Sequence, residues 1–272
     1  MTAFTLGPAL LFCPADRPER YSKAAERSDA VIIDLEDAVA PDAKDAARAG
    51  LIAGAADLDP ATVIVRVNPI GTADHEADLD AIAETHFRTL MIAKAESADA
   101  IADLRPGYNI VALCETARGV LEAERLAAVD RVVALMWGAE DLVASLGGSS
   151  SRFPDGRYRD VARAARSRVL LACGAHGKAA IDAVHLDISD ADGLRAEASD
   201  AVTSGFAATA CIHPSQVEIV RAAYLPADEE IAWARRVIDA ATAERGVFAF
   251  EGRMVDEPVL RHARAVLGRA LA

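Results

Sequence analysis

Short runs of apolar, largely β-branched residues recur along the chain, each followed by an alanine-rich stretch with helical spacing. The runs are Ala9–Pro14, Ala30–Glu36, Thr62–Asn68, Thr89–Lys94, Asn109–Glu115, Arg131–Gly138, Ala179–Asp187 and Thr209–His213. They are continuous apolar segments rather than in–out alternations, the pattern of a parallel sheet covered on both faces. Between them the spacing predicts helices over Pro18–Arg27, Pro41–Ala55, Ala73–Thr85, Ser97–Leu104, Ala117–Ala128, Arg159–Cys173, Asp190–Ser204 and Pro214–Ala223. Eight strand–helix repeats in one domain-sized chain predict a closed (β/α)8 TIM barrel over an open doubly wound sheet. A dinucleotide-binding sheet would also need a glycine fingerprint opening its first helix. The nearest pair, Gly147-Gly148, sits in a serine-rich loop instead.

Two stretches depart from the repeat. Leu146–Tyr158 is a long polar loop on the side where strands run into helices, open to reading as a substrate-facing flap or as passive surface. The tail from Leu225 onward predicts a helix over Asp228–Arg245, a hairpin-like connection around Phe248–Arg253 and a last helix from Asp256 or Pro258, with Asp as cap and Pro close behind. The expected organisation is a catalytic barrel over residues 1–224 and a helical lid or oligomer-contact extension over 225–272.

Composition narrows the function. A formal net charge of −13 over 272 residues argues against nucleic acid or an anionic membrane as partner. A local basic patch can still hold an anionic small ligand, because fields are screened within about 8 Å at physiological salt. Cys13, Cys114, Cys173 and Cys211 show neither a CxxC pair nor zinc spacing and read as buried free thiols of a cytoplasmic protein. The apolar stretch Leu6–Cys13 has no basic n-region or cleavage site and reads as a first strand, not a signal peptide. No apolar run is long enough to span a membrane.

The chemistry gathers at strand ends. Glu36 and Asp37 end the second run, Arg66 and Asn68 the third, Lys94 the fourth and Glu115 the fifth. Glu140 and Asp141 follow the sixth; Asp187 and His213 end the seventh and eighth. In a barrel these positions face one mouth. Buried carboxylates cost several kcal/mol, roughly, unless a cation or hydrogen bonds compensate them, so their convergence points to a divalent metal. Glu115 and Asp141, on adjacent strands, could share one ion with waters and substrate oxygens, as Mg²⁺ is normally held. Arg66 and Lys94 add positive charge suited to an oxyanion, a 2-oxo acid or an enolate. Plainer readings coexist: Arg66 could pair with Glu36, Lys94 is open between catalytic and structural, Asp187 suits a loop cap and His213 a strand-end hydrogen bond. The remaining histidines have no ligand spacing, and no GxSxG elbow occurs.

The segments LFCPADRPERYSKA, AVIIDLEDAVAPDAK, VIVRVNP, MIAKAE, ALCETARGV, WGAEDL, IHPSQV and GRMVDEP, in this order, resemble the citrate lyase β-subunit-like family, a branch of the HpcH/HpaI aldolases. The resemblance covers nearly the whole chain. It implies a Mg²⁺-dependent barrel that makes or breaks a C–C bond beside an acyl thioester, such as malyl-CoA, citramalyl-CoA or 3-hydroxy-3-methylglutaryl-CoA. It also implies Glu115 and Asp141 as metal ligands, Arg66 at the thioester or enolate oxygen, and Glu36 and Asp37 as the acidic pair around the metal shell. The segment from Cys13-Pro14 to Lys23 matches the coenzyme A contact region, with Arg17, Arg20 and Lys23 toward its phosphates. Asp256 matches a lid aspartate that acts as acid/base in a neighbouring subunit, which implies a homotrimer or hexamer. Thioester hydrolysis, a CoA-independent class II pyruvate aldolase, a carrier-protein-dependent citryl lyase β subunit and an inactive interaction module stand as alternatives.

Overall fold

The computed structural model describes residues 4–243 and 246–270. Strands β1 (Ala9–Pro14), β2 (Ala30–Asp34), β3 (Val63–Val67), β4 (Thr89–Ile92), β5 (Asn109–Cys114), β6 (Val132–Trp137), β7 (Ala179–Asp182) and β8 (Ala208–Cys211) pair in sequence order. All pairs are parallel, and β8 returns to β1 with Leu10 opposite Ala210, closing the barrel as the sequence predicts. Parallel neighbours need crossovers. These are helices α1 (Tyr21–Arg27), α2 (Lys44–Gly54), α3 (Ala73–Ala83), α4 (Ala98–Ala102), α5 (Ala117–Ala128), α6 (Ala139–Ser145), α7 (Asp160–His176) and α8 (Ala191–Ser204), with α9 (Pro214–Tyr224) after β8.

Period two divides each strand. Leu10, Ile32, Ile64, Met91, Val111, Leu113, Ala134, Met136, Ile181 and Ala210 fill the barrel interior. Their neighbours Val31, Ile33, Val65, Leu90, Ala112 and Leu135 are equally buried outside it, so both faces of a strand are apolar. Caps start the helices just beyond the strands: Thr72, Ser97, Thr116 and Asp190 each accept an N–H three residues on.

Several strands end earlier than the sequence suggests, β2 at Asp34 instead of Glu36 and β7 at Asp182 instead of Asp187. After β2, Glu36 and Asp37 bond with Lys94 at the mouth; after β7, His185 meets Glu197 and Asp187 accepts from Ser189. Helix α6 was not expected. It begins directly after Gly138, with Glu140 and Asp141 in its first turn, where carboxylates favour the helix N-terminus.

The chain divides into two compact units, Met1–Val220 and Arg221–Ala272. In the second unit, α10 (Asp228–Ala243), the hairpin β9 (Phe248–Phe250) and β10 (Arg253–Val255), and α11 (Glu257–Arg269) surround Ala234, Val237, Val255, Ala263 and Val266. The expected end of α10 at Arg245 lies outside the described residues. All four cysteines are buried and none forms a disulfide. Among the described residues, no helix is long and apolar enough to cross a membrane.

Candidate active site

The interior face of β2 runs Ala30, Ile32, Asp34, and that of β3 runs Ile64, Arg66. Register places Asp34 directly beside Arg66. The two form a fork: Arg66 Nε donates to Asp34 Oδ1 at 2.7 Å and Nη2 to Oδ2 at 2.6 Å. Arg66 Nη1 lies 3.5 Å from Glu36 Oε2, and the guanidinium sits 4.9 Å from the Phe12 ring centroid. Burial disfavours the charge, but hydrogen bonds to Asp34 and the nearby Glu36 and Glu115 more than offset it and hold Arg66 firmly cationic.

Lys94 follows β4 in a left-handed conformation, φ +48, rare for a residue with a side chain. That turn aims its backbone N–H at Glu115 Oε1, 3.0 Å away. Its ammonium donates to Glu36 Oε1 and to Asp37 Oδ2 (3.1 Å), and stands 3.9 Å from Asp141 Oδ1. Glu36 in turn accepts from the Asp37 N–H at 2.9 Å. Burial raises the pKa of Glu36 despite Arg66 and Lys94. Asp37 feels burial too, but the hydrogen bond and charge of Lys94 bring it below the usual range.

Glu115 is 3% exposed. Burial pushes its carboxyl up to about 7, with Arg66 pulling down and Asp141 pushing further up. Its Oε2 lies against Gly138, where an added Cβ would meet Glu115 Cβ at 2.8 Å and Oε2 at 3.1 Å. A glycine here leaves the carboxylate its room. These groups open on a cavity of about 320 Å³. Asp34, Arg66, Glu115, Glu140 and Asp141 line its polar side; Phe12, Pro14, Leu113, Met136, Val184 and Ile212 line the rest.

The donor set suits a hard divalent cation. Glu115 is a buried carboxylate short of positive charge, and half-buried Asp141 stands on the next strand's helix. Among the described residues no group of three or more His, Cys, Asp or Glu has metal-holding geometry. Two carboxylates with the remaining positions left to water or substrate match magnesium better than an all-protein zinc cage.

Of the residues singled out from sequence, Pro14, Glu36, Asp37, Arg66, Lys94, Glu115 and Asp141 meet at this mouth. Arg17, Arg20 and Lys23 lie exposed on the turn and helix after β1, with Arg17 3.8 Å from Asp16 and Arg20 3.8 Å from Glu19. Asp256 belongs to the second unit, where it caps α11 by accepting the Val259 N–H at 3.3 Å. Asp187 caps its own loop at Ser189, and His213 Nδ1 meets Ser215 Oγ at 2.7 Å. The Leu146–Tyr158 loop is pinned: Ser151 Oγ donates to Glu140 (2.5 Å), Arg152 pairs with Glu197, and Tyr158 packs edge-on against Trp137. Asp34 was missed. Its signal was parity, since it shares a face with Ile32 and Glu36.

A closed barrel with a charged cavity at the C-terminal ends of its strands is the architecture of (β/α)8 enzymes. The model of the HpcH/HpaI aldolase/citrate lyase family matches residues 9–214, and the chain belongs to that family. It is 57% identical to the citrate lyase subunit beta-like protein of Mycobacterium tuberculosis strain H37Rv, covering 97% of this chain and 96% of the relative. It is 38% identical to a (3S)-malyl-CoA thioesterase of Cereibacter sphaeroides, covering 97% and 94%. The crystal structure of CitE from M. tuberculosis in complex with magnesium, acetoacetate and coenzyme A superposes with a TM-score of 0.92 at 56% identity, covering 98% of this chain and 99% of that one.

Proposed function

We propose that the protein is a magnesium-dependent lyase of β-hydroxyacyl-CoA thioesters that releases acetyl-CoA and a 2-oxo acid or related carbonyl product. The observation that carries this reading is the meeting of Arg66, Glu115 and Asp141 in one cavity with an apolar far wall. The similarity to a protein solved with magnesium, acetoacetate and coenzyme A supports it.

Magnesium held by Glu115 and Asp141 would supply Lewis acidity to the hydroxyl and carboxylate oxygens of the acyl group. Asp34 engages Nε and Nη2 of Arg66; Nη1, 3.5 Å from Glu36 Oε2, keeps a second N–H for the thioester oxygen. When the C–C bond breaks, the hydroxyl gives its proton to water at the mouth and its carbon becomes a carbonyl. The electron pair stays on the acetyl-CoA fragment as an enolate, whose oxygen Arg66 stabilises. Lys94 and Glu36 keep the acidic shell in register. Asp256 of a neighbouring copy in a homotrimer or hexamer returns a proton to the enolate carbon; in reverse it takes one. A carboxylate is a weak base for this task, so the site needs exclusion of water and a cation nearby. Pro14 borders the coenzyme A entrance, and exposed Arg17, Arg20 and Lys23 attract its phosphates.

The test is release of acetyl-CoA from malyl-CoA, citramalyl-CoA and 3-hydroxy-3-methylglutaryl-CoA, with magnesium and then with EDTA. Metal-dependent acetyl-CoA release is expected. Free coenzyme A without acetyl-CoA would make the protein a thioesterase, like its C. sphaeroides relative. Silence across the panel would reject a stand-alone acyl-CoA enzyme.

A further inference from the structure

The first residue of α2, Lys44, is a buried cation that the proposed chemistry does not use. Its ammonium donates to the Leu35 carbonyl (2.8 Å), the Glu36 carbonyl (3.0 Å) and Asn68 Oδ1 (2.8 Å). All three acceptors are neutral, and among the described residues no carboxylate stands within ion-pair distance of it. The Asn68 amide cannot turn away. Asp78 Oδ2 accepts both its backbone N–H (2.9 Å) and its Nδ2 (2.7 Å), and Asp78 Oδ1 is fixed by Arg48 Nε at 2.8 Å.

A buried charge solvated only by neutral oxygens is an expensive way to hold a turn. The carbonyls do not depend on it for satisfaction. Leu35 O also accepts from Asn68 Nδ2 (3.0 Å), and Glu36 O from the Val39 N–H (3.2 Å). What the ammonium adds is direction: it clamps two successive carbonyls just where β2 gives way to the loop, and so fixes how Glu36 leaves the strand. We propose that Lys44 is a positioning residue that aims the Glu36 carboxylate toward Arg66 and Lys94. This rests on the reading of the mouth as the catalytic site.

The Asp37 amide reports on that aim, because its N–H donates to Glu36 Oε2 at 2.9 Å. In Lys44→Met, amide exchange at Asp37 is expected to quicken at least tenfold while barrel-core amides stay unchanged. The turnover number should fall at least tenfold with KM within twofold, and resistance to urea should hold or rise. A Glu36→Gln/Lys44→Met double variant should be no slower than Glu36→Gln alone. Unchanged protection of Asp37, unchanged kcat, or activity lost only in proportion to stability would each overturn the proposal. Were the wild type inert toward every thioester, the proposed function would fall, while Asp37 exchange would still decide the positioning by Lys44.

Discussion

Arg66 grips Asp34 at 2.7 and 2.6 Å inside the barrel, and Arg166 grips Asp182 at 3.0 and 2.8 Å outside it, beneath α7. Both are forks on a carboxylate that ends a strand, the outer one with a third bond from Nε to Oδ2 at 3.2 Å. Outside, the remaining valences are consumed: Asp182 Oδ1 also accepts from Trp137 Nε1 (2.5 Å) and the Ala183 N–H (3.1 Å), and Arg166 Nη1 reaches Asp200 (2.6 Å). Inside, Asp34, Glu36, Asp37, Glu115 and Asp141 share Arg66 and Lys94, so carboxylates outnumber cations. Saturation marks the outer fork as part of the frame. The inner fork sits in a charge deficit, and Glu115, pushed up to about 7, is where the deficit is felt. A site arranged this way has room for one more cation.

The widest separation between the forks should come from removing each arginine. Arg66→Met is expected to lower kcat/KM by about 10³-fold, the scale of losing a donor to a developing oxyanion. Arg166→Met should instead cost about 3 kcal/mol of stability by stranding Asp182, with turnover per folded molecule preserved. Urea melts beside steady-state kinetics read both. Equal kinetic losses would erase the distinction.

Glu115 comes next. Its folded pKa of about 7 exceeds the ordinary 4.5, so between those values the folded state binds the extra proton. Stability of the metal-free protein should therefore fall as pH rises from about 4.5 to about 7, by about 3 kcal/mol at most. The same proton must leave when a metal binds, so metal affinity should rise with pH over this window. In Glu115→Gln the contribution of this group to the stability slope should be lost, which melts of the metal-free protein across pH would show.

A smaller change is expected from Gly138→Ala. The backbone there is extended (φ −125), so alanine brings no conformational strain. The new methyl would press on Glu115 and should weaken metal binding about tenfold, measured by calorimetry, with secondary structure intact. The mildest effect belongs to the exposed cations. Reversing Arg17, Arg20 and Lys23 together should raise KM for the acyl-CoA a few-fold at low salt and leave kcat alone, the difference shrinking as salt screens it.

The two forks also show how far the sequence could be read. The order of apolar runs carried the barrel, because continuous runs joined by helices leave few other closed parallel arrangements. Strand ends carried Glu36, Arg66, Glu115 and Asp141. Asp34 escaped because it lies inside an apolar run, one step before the visible polar end, and only face parity gives it away. Asp182 lies unmarked within the run Ala179–Asp187, and its partners Arg166 and Trp137 come from other elements. Lys44 was legible only as a helix residue: Leu35 and Glu36 meet it through backbone carbonyls, which carry no side-chain signal, and Asn68 lies 24 residues away. The left-handed turn at Lys94 had no glycine or asparagine to announce it.

The most direct measurement is a titration with Mn²⁺, a paramagnetic stand-in for magnesium, followed by electron paramagnetic resonance on the wild type, Glu115→Gln, Asp141→Asn and Asp182→Asn. One bound ion per chain is expected in the wild type and in Asp182→Asn, and none at the same concentrations in the other two. An ion retained by Glu115→Gln and Asp141→Asn, or absent from the wild type, would contradict a metal centre at the mouth of this barrel.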